Sequence, residues 1–240
     1  MSDQIGQIPI LILAGGRATR LKGLASDTPK YLMSVSPAET FADVHLAWLK
    51  SIGFQKVLLS IGYLGEKIRN YCGDGKKWGL QIQYIEDGST LVGTGGAVRK
   101  ALKFQFNDLC VTYGDTLLNF SLTDFLENYA ATSALGSMTI FKNELPGHIC
   151  NIDLKKSWIT YDKFNPQPDW EYIDYGFMIL KRSLIEFFPQ EIPMDLALPL
   201  SEAASRKKIL GFPVKERFWE IGSPEALAEF QKGLGNFRRT

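Results

Sequence analysis

The sequence lacks the features that mark several large classes of protein. Its 240 residues hold three cysteines, Cys72, Cys110 and Cys150, far apart and without a C-x-x-C pair. That spacing supplies neither a disulfide framework nor a zinc site, and isolated thiols fit a reducing compartment. Charge of one sign is not in excess: 27 Lys and Arg face 26 Asp and Glu, a net charge of +1. Nucleic acid and anionic membrane both favour a basic surplus, so neither is expected as the main partner. The apolar run over residues 8–14 is far too short to span a bilayer, and no longer run exists. The opening MSDQIGQ carries no basic segment of a secretion signal, so a cytoplasmic location is expected. Histidine is scarce: His45 sits in a helical pattern and His148 in an irregular stretch, and neither joins a Ser/His/Asp or Cys/His arrangement. Repeats, low-complexity tracts and linkers are missing too, so residues 1–240 are expected to form one domain with a polar tail after about 233.

What is present is an alternation of two periods. Hydrophobic residues make up 45% of the chain, enough for a sizeable core. Residues 8–13, 56–61, 81–85, 109–113, 138–141, 175–180 and 209–214 are rich in β-branched and apolar side chains and read as strands. Helical patterns lie between them. Ser36-Pro37-Ala38-Glu39 reads as a capping box with Pro at the first helical position, opening a helix with Phe41, Val44 and Trp48 on one face. Residues 65–72 form a helix stopped by Gly73, residues 94–103 another, and Ser121 and Ser223 open two more. From 143 to 170 the pattern breaks into short strands, prolines and aromatics. Strands alternating with helices predict an α/β fold with a mostly parallel sheet.

The first strand runs into Ala14-Gly15-Gly16-Arg17-Ala18-Thr19-Arg20-Leu21. Two glycines after a strand let the backbone turn tightly, so that its N–H groups converge on phosphate oxygens. Thr19 adds a hydroxyl, Arg17 and Arg20 add planar charged forks, and Lys30 of Pro29-Lys30 adds a point charge. A plain strand–turn–helix with surface arginines is the alternative, and the spacing is not that of a dinucleotide-binding G-x-G-x-x-G.

With these residues in place, the sequence resembles the nucleotidyltransferase family of sugar-nucleotide pyrophosphorylases, which open on L-A-G-G-x-G-T-R-L followed by Pro-Lys. The resemblance continues through Ser60-Ile61-Gly62-Tyr63, Tyr71-Cys72-Gly73-Asp74-Gly75, Leu91-Val92-Gly93-Thr94-Gly95-Gly96-Ala97, Tyr113-Gly114-Asp115 and Phe218-Trp219-Glu220-Ile221-Gly222-Ser223-Pro224-Glu225, in the family's order. It is strongest toward the short members that act on heptose 1-phosphate with GTP. The resemblance implies a Rossmann-like mixed, mostly parallel sheet flanked by helices, of the nucleotide-diphospho-sugar transferase type. It implies a reaction in which a nucleoside triphosphate and a sugar 1-phosphate give a sugar nucleotide and pyrophosphate, with Mg²⁺ as cofactor.

It also implies roles for residues. Arg20 and Lys30 are the catalytic pair. Leu13, Ala14, Gly15, Gly16, Thr19, Arg20, Glu86, Gly93, Thr94 and Gly114 belong to the nucleotide side. Asn151, Lys163, Asp174 and Gly176 belong to the sugar-phosphate side, and Asp115 and Glu220 to the metal. Ordinary roles stand beside these: Asp115 as a turn residue, Glu220 as a partner of the next helix's dipole, Lys163 and the Glu86-Asp87 pair as solvated surface charge. Three positions depart from the family pattern: Ala18 stands for Gly, Glu220 for Asp, and Asp174-Tyr175-Gly176 for Asn-Ala-Gly. Two other readings share the fold: a non-catalytic sugar-nucleotide-binding subunit, and a glycosyltransferase that uses a ready-made sugar nucleotide. Against the second, Gly114-Asp115-Thr116-Leu117 lacks a D-x-D motif. A homo-oligomer is in keeping with general frequency.

Overall fold

The structure, a computed structural model, describes residues 5–16, 27–88, 90–143 and 149–237. Its centre is a nine-stranded mixed sheet. Strands β1 (Ile10–Leu13), β4 (Lys56–Ile61), β5 (Gln81–Glu86) and β6 (Asp108–Tyr113) run parallel in the order β5-β4-β1-β6. Beyond β6 come β11 (Tyr172–Lys181), β8 (Gly136–Lys142), β12 (Ile209–Val214), β10 (Trp158–Tyr161) and β9 (Ile152–Lys155). Here only β8 and β12 are parallel neighbours. The expected parallel majority therefore holds for one half of the sheet. The other half is mostly antiparallel, because β11 returns beside β6 in the opposite direction.

Period-2 alternation explains why the strands are apolar on both faces. In β1, Ile10 and Ile12 enter one core cluster and Leu11 the other. The first cluster gathers helices α1 (Phe41–Ser51), α2 (Gly65–Cys72), α4 (Leu122–Ala130) and α7 (Pro224–Phe237). The second gathers α3 (Gly93–Lys100), α5 (Arg182–Ile185) and α6 (Ala197–Ser205). A sheet covered on both faces must bury both sets of side chains, and it does.

One expected helix start is displaced. Ser36-Pro37-Ala38-Glu39 is the turn of a hairpin between β2 (Ser34–Ser36) and β3 (Glu39–Thr40). The capping box lies one step on: the Asp43 N–H donates to Thr40 Oγ1 at 3.3 Å and the Thr40 N–H to Asp43 Oδ2 at 2.9 Å. Ser36 and Thr40 both have the right chemistry, but only Thr40 directly precedes the apolar face of α1. Helix α7 also continues past Gly233 to Phe237, where a polar tail was expected.

The two margins of the sheet are finished differently. At one, β9 bends back so that Ile152 pairs with Tyr172 of β11. At the other, β5 has its Ile82 N–H taken by the Asp74 carbonyl, and Lys100 and Lys103 donate to the carbonyls of Glu86 and Tyr84. Among the described residues no helix is long and apolar enough to cross a membrane.

Candidate active site

The parallel half ends in a cleft of about 270 Å³. Leu13, Ala14, Gly15 and Gly16 leave β1, Tyr113, Gly114 and Asp115 leave β6, and Gly93, Thr94 and Ala97 come from α3. Lys30, Tyr31, Ser60, Asp87 and Leu91 complete the lining. This is the carboxyl end of parallel strands, where open α/β sheets hold ligands.

Backbone approach shapes the floor. The Gly114 N–H donates to the Leu13 carbonyl at 3.0 Å, and a Cβ on Gly114 would stand 2.9 Å from the Cβ of Ala14. Only glycine lets these two strand ends lie so close. Gly93 has φ +75°, and a Cβ there would stand 2.4 Å from the Met194 carbonyl oxygen. Its requirement for glycine thus comes from packing on the segment before α6. Thr94 is engaged with the same segment: its Oγ1 accepts from the Leu196 N–H at 2.9 Å.

Lys30 and Asp115 meet here at 3.0 Å, with both side chains largely buried. Pro29 sets φ at −59° ahead of a short 3₁₀ turn over Lys30–Leu32. Tyr31 sinks into an aromatic group, edge-on to Phe41 at 6.1 Å and to His45 at 5.9 Å, and so anchors the turn that carries Lys30. Thr116 Oγ1 donates to Asp115 Oδ1 at 3.2 Å, which fixes the carboxylate from its other side.

Next to this cleft stands a polar group built from side chains. Tyr113 Oη donates to Asp174 Oδ2 at 3.0 Å, the Gly176 N–H to Asp174 Oδ1 at 2.8 Å, and the Asp174 N–H to Asn151 Oδ1 at 3.2 Å. Burial raises the Asp174 pKa above the ordinary carboxylate value, and these donors only partly offset it. Burial, with Asp174 beside it, likewise pushes the Tyr113 phenol well up. Lys163 does not join this group by hydrogen bond; its Nζ donates to Asp195 Oδ2 at 2.7 Å.

Of the expected residues, Leu13, Ala14, Gly15, Gly16, Lys30, Gly93, Thr94, Gly114 and Asp115 share one cleft. Asn151, Asp174 and Gly176 share the adjoining polar group. Arg17, Ala18, Thr19 and Arg20 lie outside the described residues. Glu86 lines a different concavity, where its carboxylate pairs with Arg69; the acid on the cleft is its neighbour Asp87. Strand direction decides this, since successive side chains leave opposite faces. Burial raises the Asp87 pKa, partly offset by the Val92 N–H. Tyr31 and Asp195 are not singled out by the sequence, and Leu91 and Tyr113 appear there only as members of motifs without a role. Tyr31 follows the Pro29-Lys30 pair, whereas Asp195 has no local motif.

Glu220 lies on β13 (Trp219–Glu220), paired with Thr116 of β7 (Thr116–Leu117), and the Ile221 N–H donates to the Asp115 carbonyl at 3.0 Å. The two expected metal carboxylates therefore sit on adjoining backbone segments. Among the described residues no group of three or more His, Cys, Asp or Glu side chains could hold a metal ion. One or two carboxylates do not make a cage, but they suit a hard cation such as Mg²⁺ that shares its coordination with substrate phosphates and water.

Comparison with known proteins agrees with this fold. The family model described as nucleotidyl transferase matches residues 10–147. D-glycero-alpha-D-manno-heptose 1-phosphate guanylyltransferase of Campylobacter jejuni is 29% identical over 92% of this chain and 97% of its own length. The protein of the same name from Aneurinibacillus thermoaerophilus is 27% identical over 95% and 98%. The crystal structure of HddC from Yersinia pseudotuberculosis complexed with GMP-PN superposes with a TM-score of 0.77 at 22% identity, covering 95% of this chain and 99% of that one.

Proposed function

The chain belongs to the nucleotidyl transferase family, and from that membership we propose that it is a sugar-1-phosphate nucleotidylyltransferase acting on a heptose 1-phosphate and GTP. The observation that carries the reading is the Lys30–Asp115 pair, set at the carboxyl end of the parallel strands above a floor of glycine backbone. The two relatives that match over nearly their whole length support the choice of heptose and guanine.

In the proposed reaction an oxygen of the sugar phosphate attacks the α-phosphorus of the triphosphate. A new P–O bond forms as the bond to the β-phosphate breaks, and pyrophosphate leaves with the electron pair. Two anionic groups must meet in line, so the chain's task is to neutralise and align them. Gly15 and Gly16 offer backbone N–H groups to the phosphates, and Lys30 offers a charge held in place by Asp115. Asp87, Gly93 and Thr94 border the space left for the nucleoside. Asn151, Lys163 and Asp174 present hydrogen-bonding groups on the sugar side. Asp115, with Glu220 on the adjoining strand, would hold the divalent ion, which when bound supplies charge neutralisation to the phosphates.

The reading is tested by incubating the protein with Mg²⁺ and a panel of nucleoside triphosphates and sugar 1-phosphates while following pyrophosphate. Release that requires both GTP and a heptose 1-phosphate is the expected result. Release with another pair would revise the substrates, and no release with any pair would overturn the activity. A glycosyltransferase would instead consume the ready-made sugar nucleotide without forming pyrophosphate.

A further inference from the structure

Asp195 stands where two chains of contacts meet. One carboxylate oxygen accepts from Lys163 Nζ at 2.7 Å, and the other accepts from the Ala197 N–H at 2.9 Å, at the start of α6. The residues on either side of it are fastened to the glycine-rich turn that borders the nucleoside space. The Met194 N–H donates to the Val92 carbonyl at 2.9 Å, the Gly95 N–H to the Met194 carbonyl at 2.9 Å, and the Leu196 N–H to Thr94 Oγ1 at 2.9 Å. Three hydrogen bonds of the flanking main chain thus fix the position of Asp195 relative to the nucleotide side, and its Oδ2 reaches across to the sugar-side lysine.

We propose that Asp195 is a positioning residue for Lys163, holding the lysine in register with the nucleotide turn so that the sugar phosphate arrives aligned with the triphosphate. This rests on the functional reading above. The pair is roughly half exposed, with side-chain exposures of 49% for Lys163 and 36% for Asp195. An ion pair so open to water contributes little to stability. What it does supply is restriction of a long flexible side chain to one place, which is the expensive part of aligning two reactants.

Asp195→Asn separates this role from a structural one, because the amide oxygen can still accept from the Ala197 N–H while the charge that holds Lys163 is gone. The expected result is a rise in KM for the sugar 1-phosphate on the order of tenfold, within the usual coupling between contacting residues. The KM for the triphosphate and the melting temperature should stay close to wild type, and Asp195→Glu should recover part of the loss. Lys163→Met alone should weaken the sugar phosphate at least as much, and adding Asp195→Asn to it should cost nothing further. Additive losses in the double variant would show that Asp195 acts without Lys163 and would overturn the inference. So would an equal rise in both KM values. The wild-type protein is assayed first: if it makes no sugar nucleotide, the functional reading falls and this inference with it. An active wild type with additive variants sinks only the role of Asp195.

Discussion

The two halves of the sheet meet the cleft in different ways. The parallel half, β5-β4-β1-β6, arrives with backbone: a Cβ on Gly93 would stand 2.4 Å from the Met194 carbonyl oxygen, one on Gly114 2.9 Å from the Cβ of Ala14, and one on Gly15 3.2 Å from the Gly62 nitrogen. The mostly antiparallel half, led by β11, arrives with side chains: Asn151, Lys163 and Asp174, each engaged by a hydrogen bond from or to a neighbour. A backbone surface recognises what all nucleotides share, a row of phosphate oxygens. A surface made of side chains can be re-cut by substitution without moving a strand. On the proposed reading, common chemistry belongs to the first half and choice of sugar to the second.

The sharpest test of this division falls on the seam. Asp115→Asn keeps the shape and removes one negative charge beside Lys30, and turnover should drop about a hundredfold or more, as when other electrostatic catalytic groups are removed. Binding of the sugar phosphate should change far less. Near-normal turnover at limiting Mg²⁺ would show that the seam is not the reacting centre.

A methyl group on the backbone side comes next. Gly93→Ala places a Cβ against the Met194 carbonyl at a residue with φ +75°. The expected cost is about 1–3 kcal/mol, the usual strain at such positions, read as a lower melting temperature together with weaker triphosphate binding. Unchanged melting would mean that the turn is free to move and that the backbone floor is not rigid.

Glu220→Gln should act more mildly, raising the Mg²⁺ concentration for half-maximal activity several-fold, since a carboxamide is a poorer ligand for a hard cation. An unchanged half-saturation would leave Glu220 as a partner of the α7 dipole only, with a stability effect of roughly 0.3–1 kcal/mol.

At neutral pH the smallest effect comes from two buried groups whose pKa values move in opposite senses. His45, edge-on to Tyr31, is fully buried and stacks on Trp48; among the described residues neither ring nitrogen has a hydrogen-bond partner. Burial lowers its pKa from 6.5 to about 3. The folded state thus binds its proton later than the unfolded chain does, and stability is lost as pH falls from about 6.5 towards 3. Burial raises the Asp174 pKa above its ordinary 3.8, so its contribution is complete below that value and is lost as pH rises above it. Melting curves against pH should therefore be flatter on the acid side in His45→Phe and flatter above pH 4 in Asp174→Asn, roughly the unfolded carboxylate value. Parallel curves for wild type and either variant would refute the corresponding assignment.

The same contrast explains what could be read from the sequence. On the backbone side the elements are contiguous and bounded by breakers, so β4 and α2 are legible in the sequence. On the other half, β11 runs through Gly176, whose φ of +103° and local shift of register break the alternation; only its apolar end reads as a strand. Its direction was illegible, because the partner that sets it, β6, is distant in the chain. Helix α6 was missed since Pro199 near its start mimics a loop. Asp195 went with it: its meaning lies in contacts to residues 163 and 92–95, which no local pattern records. Glu86 lines the neighbouring concavity while Asp87 reaches the cleft, a difference of one step along an edge strand that the sequence does not record.

The finishing of the sheet margins bears on how the protein survives at high concentration. An unpaired strand edge is a template on which other chains can add, the first step of edge-to-edge aggregation. Here one margin is turned in by the return of β9 onto β11. The other has its outward N–H at Ile82 and its carbonyls at Tyr84 and Glu86 occupied by Asp74, Lys103 and Lys100. An incoming strand would have to displace two ammonium groups and leave them unpaired beside the new backbone. Lys103→Ala would strip part of that guard at a residue outside the cleft lining, and would leave the edge open to an added strand.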